Sequence, residues 1–299
     1  MSVLVLGTVA QDTVKTPFGR RAHILGGSAV HFSMSCRFFT DVSLVAVVGE
    51  DFPQKYIRFL RGKGVDLTSL AQAAGKTFAW EGEYRGDLNS ALTLHTELGV
   101  LATFRPQVAL RQRKIKHVFL ANVDPDIQMG LLKQMSPPAF VGLDSMNYWI
   151  HQKRRALLRA LKQVHIYVAN DQEARDLTGE KNLIKAAKAL RSFGPRMVLI
   201  KKGEHGVFFY SDAFKAALPA YPVEKVVDPT GAGDTFAGGF MGYLAGAKKI
   251  HETSVKKALA FGTVVASFNV EDFGVARTAR LTMQEVRARL LGFKRYSSF

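Results

Sequence analysis

DPTGAGDTFAGGF, residues 228–240, sets Gly231, Ala232 and Gly233 directly before Asp234 and an apolar segment. A turn almost without side chains leaves its backbone N–H groups unobstructed. If a helix starts there, those donors have no intrahelical acceptor, and the helix dipole adds partial positive charge. The product is an anion hole suited to a phosphate. Phe236, Phe240 and Leu244 recur every four residues, so the following segment buries one face as a helix. Gly238 and Gly239 weaken that helix but admit a close neighbour. Asp234 stands on its first turn, where it can accept a proton from a hydroxyl attacking the phosphate. The helix terminus favours its ionised form. Little basicity is required, because phosphoryl transfer is mostly positioning and charge stabilisation. Asp is also common at helix starts for purely structural reasons, but the full string is far more specific than a bare G-x-G-D.

Working outward, short apolar runs alternate with amphipathic ones. Strands are predicted at Val3–Gly7, Val42–Gly49, His117–Ala121, Phe140–Asp144, His165–Ala169 and Met197–Lys201. Most are continuous apolar runs, as for strands buried on both faces. Helices are predicted at Ala29–Phe38, Gln54–Lys63, Lys153–Leu161, Leu183–Phe193 and Val255–Val270. The alternation predicts an α/β fold with a mainly parallel sheet and helices on both faces. Two segments break it. TFAWEGEY (77–84) puts Phe78, Trp80 and Tyr84 opposite Thr77, Glu81 and Glu83, and LTLHTEL (92–98) also alternates. A period of two predicts half-buried antiparallel strands, a small lid whose apolar face covers a ligand or another copy of the chain.

The net charge is +16, from 41 basic and 25 acidic residues. The excess is scattered, with clusters only at 111–117 and 151–155, and reads as a solvated face. No nucleic-acid module accompanies it, so no specific nucleic-acid partner is expected. No run approaches the roughly 20 apolar residues of a membrane span. The apolar N-terminus reads as a buried strand and not as a signal peptide. A single cysteine, Cys36, fits a reducing cytoplasm and excludes an internal disulfide.

The quoted string resembles the C-terminal signature of the ribokinase-like, or PfkB-type, carbohydrate kinase family, which includes nucleoside kinases. Further resemblances extend over nearly the whole chain. They lie at LGG (25–27), at Asp12 after the first strand, at NDQE (170–173), at KKGEHG (201–206), at DSMNYW (144–149) and at FGTVVASFNV (261–270). No GxxxxGK[ST] P-loop is present. The resemblance implies a ribokinase-like three-layer α/β sandwich, one domain over 1–299, with β-lid insertions about 12–24 and 76–104. It implies ATP and magnesium as cofactors, leaves room for potassium, and includes homodimers formed through the lid.

The resemblance also distributes roles. Gly231, Ala232 and Gly233 form the phosphate hole and Asp234 is the base. Asp12 receives substrate hydroxyls, which suit a carboxylate with two acceptor oxygens, while Gly26 and Gly27 bring backbone close to the substrate. His31 stands near the family's usual Asn and either replaces that hydroxyl contact or is a satisfied interior histidine. Asn170 and Glu173 share one face of a helix start, where Glu173 would hold a hydrated magnesium ion; the same spacing allows a capping box. Gly203 and Gly206 admit the nucleotide close to the backbone, and the alternative is a plain hairpin. Lys201, where the family often has Thr, is either a phosphate cation or a solvent-facing lysine. DSMNYW, with Asp144 and Asn147, resembles the family's Asp-x-Asn segment. Gly262 and Val265 lie on the helix that lines the family's adenine pocket, and Asp228 and Thr230 lie near a monovalent-cation site. The expected function is ATP-dependent phosphorylation of a hydroxymethyl group on a nucleoside or, close behind, a ribose- or fructose-type sugar. The alternative from another class is a catalytically inactive nucleotide- or sugar-binding regulator, which an altered Asp234 or Gly–Ala–Gly turn would mark.

Overall fold

The computed structural model describes residues 1–297. Its strands are β1 Ser2–Leu6, β2 Ala10–Thr16, β3 Gly19–Gly26, β4 Asp41–Gly49, β5 Val65–Ala73, β6 Ala79–Tyr84, β7 Ala91–Glu97, β8 His117–Leu120, β9 Phe140–Asp144, β10 Ile166–Asn170, β11 Met197–Lys201, β12 Val207–Ser211 and β13 Lys215–Leu218. Its α-helices are α1 Ser28–Cys36, α2 Gln54–Gly62, α3 Pro125–Leu132, α4 Asn147–Gln152, α5 Arg154–Leu161, α6 Asp171–Thr178, α7 Leu183–Ser192, α8 Ala232–Gly246, α9 Glu252–Asn269, α10 Ala276–Arg280 and α11 Met283–Ser297.

Nine strands form the main sheet in the order β13-β12-β11-β10-β9-β8-β1-β4-β5. It is parallel from β11 to β5, and β12 and β13 add an antiparallel edge. The pleat sorts the core into two layers: Val3 and Val5 face the helices α1, α8 and α9, while Leu4 and Leu6 face α3, α5 and α7. The result is the three-layer α/β sandwich expected. Close approach explains the glycines of α8, because a Cβ on Gly239 would come within 3.0 Å of Gly262 Cα on α9.

The lid is a four-stranded sheet in the order β3-β2-β6-β7. Its hairpins β2–β3 and β6–β7 are antiparallel, and β2 and β6 join them in parallel. One expectation fails here. The aromatic face does not extend to Phe78, which lies before β6, whereas Trp80 and Tyr84 share one side and pack in the same cluster. Phe78 packs on the main core and Trp80 folds over Gly82 of its own strand. Tyr84 is buried with Val14 and Phe273. Glu83 is buried rather than solvated and pairs with Lys15 at 3.0 Å and Arg85 at 2.6 Å. Leu92 and Leu94 on the edge strand β7 are half exposed. Among the described residues, no helix is long and apolar enough to cross a membrane.

Candidate active site

The carboxyl ends of the parallel strands bring the chemistry together, as open α/β sheets do. Asp144 ends β9, Asn170 ends β10 and Lys201 ends β11, with Asn170 and Lys201 directly paired in register. Facing them, α8 begins at Ala232 behind Gly231, whose φ of 72° is the left-handed conformation that glycine tolerates best. Any Cβ at Gly231 would also collide with the His31 ring. The N–H groups of Gly231 and Gly233 have no acceptor among the described residues, whereas Ala232 N–H donates to the Pro229 carbonyl at 3.1 Å. Two of the three N–H groups expected to form an anion hole are therefore free.

Lys201 points into this hole. Its Nζ donates to Asp144 Oδ2 at 2.8 Å, and a Cβ on Gly233 would stand 2.8 Å from the same nitrogen. Burial alone would discharge Lys201, but Asp144, Glu173 and Asp234 more than offset it and hold its pKa above the usual value. Asp234 does not behave as the helix start alone suggests. Burial, reinforced by Asp144, raises its pKa to about 7 against the opposing pull of Lys201 and its own N–H. Desolvation outweighs the helix dipole here.

Asn170 and Glu173 form the capping box: each side chain accepts the other's backbone N–H at 2.7 Å. Glu173 is buried, and burial with Asp144 nearby raises its pKa to about 8. Only Oε2 of Glu173 is engaged by the cap, which leaves Oε1 for a ligand. Asn147 opens α4 and is exposed.

A cavity of about 460 Å³ extends from the hole. Lys201, Gly203, Gly206, Ala232 and Gly233 line it, and α9 supplies Thr263, Ala266, Ser267 and Val270. Gly262 and Val265 lie on the other side of α9, one against α8 and the other in the core. The lid turn between β6 and β7 reaches this cavity through Asp87, Leu88 and Asn89, and Asn89 Nδ2 donates to Glu204 Oε1 at 3.0 Å.

On the acceptor side, the Asp12 carboxylate lies against Gly26, where any Cβ would strike it. Burial raises its pKa to about 7; the Gly27 N–H opposes this, while Asp228 and Asp234 add to it. Asp12 Oδ1 has no hydrogen-bond partner in the described protein. His31 is wholly buried and bonds Asn269 through Nδ1 at 3.0 Å. Asp228, also wholly buried, closes the loop before the hole by accepting Thr230 N–H at 2.9 Å and Gly274 N–H at 2.8 Å. Thr230 Oγ1 donates to the lid's Tyr84 hydroxyl at 3.3 Å. Sequence reasoning did not single out Asn269, Thr235, Tyr84's bond to Thr230, or the Asp87–Asn89 turn. Asn269 sits 238 residues from His31, and no local pattern signals that contact.

The fold is thus a three-layer α/β sandwich in which a glycine turn, with no P-loop in the sequence, starts a helix beside Lys201. Residues 25–281 match the model of the pfkB family of carbohydrate kinases, and the chain belongs to that family. ATP-dependent phosphoryl transfer to a nucleoside or sugar is the class of activity that membership carries. The cytidine kinase of Thermococcus kodakarensis is 32% identical over 254 residues, covering 82% of this chain and 90% of that protein. Among solved structures, the Methanocaldococcus jannaschii nucleoside kinase superposes with a TM-score of 0.77 at 20% identity, over 97% of this chain and 98% of the other. An Escherichia coli protein described as a putative ribokinase II, in complex with ATP and Mg2+, gives 0.79 at 17% identity, over 97% and 99%.

Proposed function

We propose that the chain is an ATP-dependent nucleoside kinase that phosphorylates the hydroxymethyl group of a ribose unit. The observation that carries the reading is Asp234 beside free N–H donors and Lys201 at one end of a cavity, with Asp12, whose Oδ1 has no partner, beyond. ATP would lie along Gly203, Gly206 and α9, with its terminal phosphate against Gly231 and Gly233. Lys201 would neutralise charge on the transferring group. Asp234 would accept the attacking hydroxyl's proton, and Asp12 would orient the acceptor. The lid would exclude water and so limit ATP hydrolysis. Kinship to a cytidine kinase favours a nucleoside.

The residues fit a magnesium ion. The cap leaves Glu173 Oε1 free, and hydrated magnesium needs only one or two carboxylates besides phosphates. When bound, it would neutralise phosphate charge. A potassium ion at Asp228 would compete with the two N–H groups that the carboxylate already accepts. Leu92 and Leu94 on the lid's edge support a homodimer. A ribose- or fructose-type sugar is the second reading. It is favoured by the engagement of Phe78 and Tyr84 inside the protein, which removes two aromatic platforms for a base.

ADP release with magnesium–ATP, measured across nucleosides and free sugars with Asp234→Asn as control, tests the proposal. Turnover of nucleosides that drops by ~10²-fold or more in the variant is expected. An intact, ATP-binding protein that turns over no acceptor would reject it in favour of a regulator.

A further inference from the structure

Ser267 lines the 460 Å³ cavity from α9 with a hydroxyl whose proton is already committed. Its Oγ donates to the Val264 carbonyl at 2.7 Å and accepts Arg289 Nη1–H at 3.0 Å. A hydroxyl has one proton and two lone pairs. One lone pair remains, so toward a ligand Ser267 can accept and cannot donate. Arg289 keeps it so, although it does not itself line the cavity. Its guanidinium carbon lies 3.4 Å from the Phe268 ring centroid and 4.9 Å from that of Tyr221. Nη2 donates to Glu271 Oε1 at 2.6 Å. Held on three sides, this guanidinium has donors only and never gives up its charge. A residue behind the wall therefore sets the polarity of an atom in the wall.

The position of Ser267 along the cavity follows from α9. Val227 N–H donates to the Val270 carbonyl at 2.7 Å, which ties the C-terminal end of α9 to the loop before the glycine turn. Ser267 lies one helical turn back from Val270, about 4.5 Å along the axis, and Thr263 about 10 Å. Val270 thus marks the end near the turn, and Ser267 stands toward the other end. Tyr221, Pro222 and Val223 line the cavity as well, and Arg289 touches both Tyr221 and Ser267. Apolar walls with a few placed polar atoms suit a flat heterocycle, which the polar atoms orient.

Resting on the kinase reading above, we infer that Ser267 selects the base of the nucleotide donor and that Arg289 is its positioning residue. The free lone pair of Ser267 accepts a hydrogen bond from the exocyclic amino group of adenine. A base with a carbonyl oxygen in that place sets acceptor against acceptor and leaves Ser267 without a partner, which costs binding. The contact is remote from the transferring phosphate. It sorts nucleotides by the polarity of one ring substituent.

Calorimetric binding of ADP and IDP, with initial rates for ATP and ITP, tests the inference. Hypoxanthine replaces the 6-amino group of adenine by a carbonyl, with a proton on the adjacent ring nitrogen. The wild-type chain should bind ADP ~10-fold or more tighter than IDP, and kcat/KM should favour ATP over ITP in step. Ser267→Ala should weaken ADP and leave IDP unchanged, so that the gap closes. Arg289→Met keeps the serine but frees its hydroxyl to turn and donate to a carbonyl. IDP should then gain and the gap should narrow, an outcome that a merely structural Arg289 would not produce. Equal binding of ADP and IDP by wild type, or equal weakening of both in Ser267→Ala, would overturn the inference. So would a gap that survives in a folded Arg289→Met variant; if that variant does not fold, Ser267→Ala decides alone. A chain that prefers ADP but transfers no phosphate sinks only the kinase reading, because calorimetry needs no acceptor. One that binds neither nucleotide sinks both.

Discussion

Lys201 Nζ bonds Asp144 Oδ2 at 2.8 Å while standing as close to the space a side chain would occupy at Gly233. One cation thus serves a buried carboxylate and faces the glycine turn at the start of α8. Lys201→Met should reduce turnover by ~10²-fold or more, the scale of losing one charge-stabilising donor. It should also destabilise the fold by about 3 kcal/mol, because Asp144 is left buried and unpaired. Adding Asp144→Asn should return the melting temperature but not the turnover. Recovery of both would show that Lys201 acts only as a structural partner.

Asp234→Asn should make the protein more stable even as it removes catalysis. The folded pKa of about 7 lies above the ordinary 3.8. The stability associated with the protonated group is complete below the unfolded pKa and is lost as pH rises through 7. The variant escapes that loss, so its gain in Tm over wild type should be larger at pH 8 than at pH 5. A gain independent of pH would contradict the raised pKa.

The same group sets the pH profile. A base must be ionised to accept a proton, so kcat/KM should climb with pH and level off above about 7. Asp12 titrates in the same range, so the limb should be steeper than one proton gives. A profile flat from pH 5 to 8 would remove both carboxylates from the rate law.

Gly231→Ala should cost stability twice over. Its φ of 72° disfavours any Cβ, by about 1–2 kcal/mol, and that Cβ meets the His31 ring. Combining it with His31→Ala should relieve the collision and leave the backbone cost. Thermal unfolding of the two single variants and the double variant measures this coupling, and strictly additive losses would deny the contact.

The six sequence-read strands all occur, four of them with shifted ends, because a parallel strand covered on both faces is a plain apolar run. β2, AQDTVKT, and β5, VDLTSLAQA, carry no such run and escaped reading. β5 is the sheet's edge, and β2 belongs to the lid. α4 is missing from the predicted helices because it is short and carries exposed Tyr148. Within the site, the hole and Asp234 were legible because their chemistry is local. The Lys201–Asp144 pair spans 57 residues, and no local spacing encodes it. The orientation of Lys201, toward the hole and away from water, followed only from the register of β9, β10 and β11. The raised pKa of Asp234 was likewise invisible, since burial is a property of the packed fold.

The Asn89–Glu204 bond places the tip of the acceptor lid on the rim of the nucleotide cavity. Both partners are exposed, so the bond itself is worth at most about 1 kcal/mol. Its position matters more than its strength. On the proposed reading, a lid that settled over the acceptor would also narrow the nucleotide's doorway, so the two ligands would not come and go independently. Whatever factor the nucleotide contributes to acceptor affinity, the acceptor must return to the nucleotide. Release after transfer would then acquire an order, with the product under the lid and the spent nucleotide waiting on a single opening.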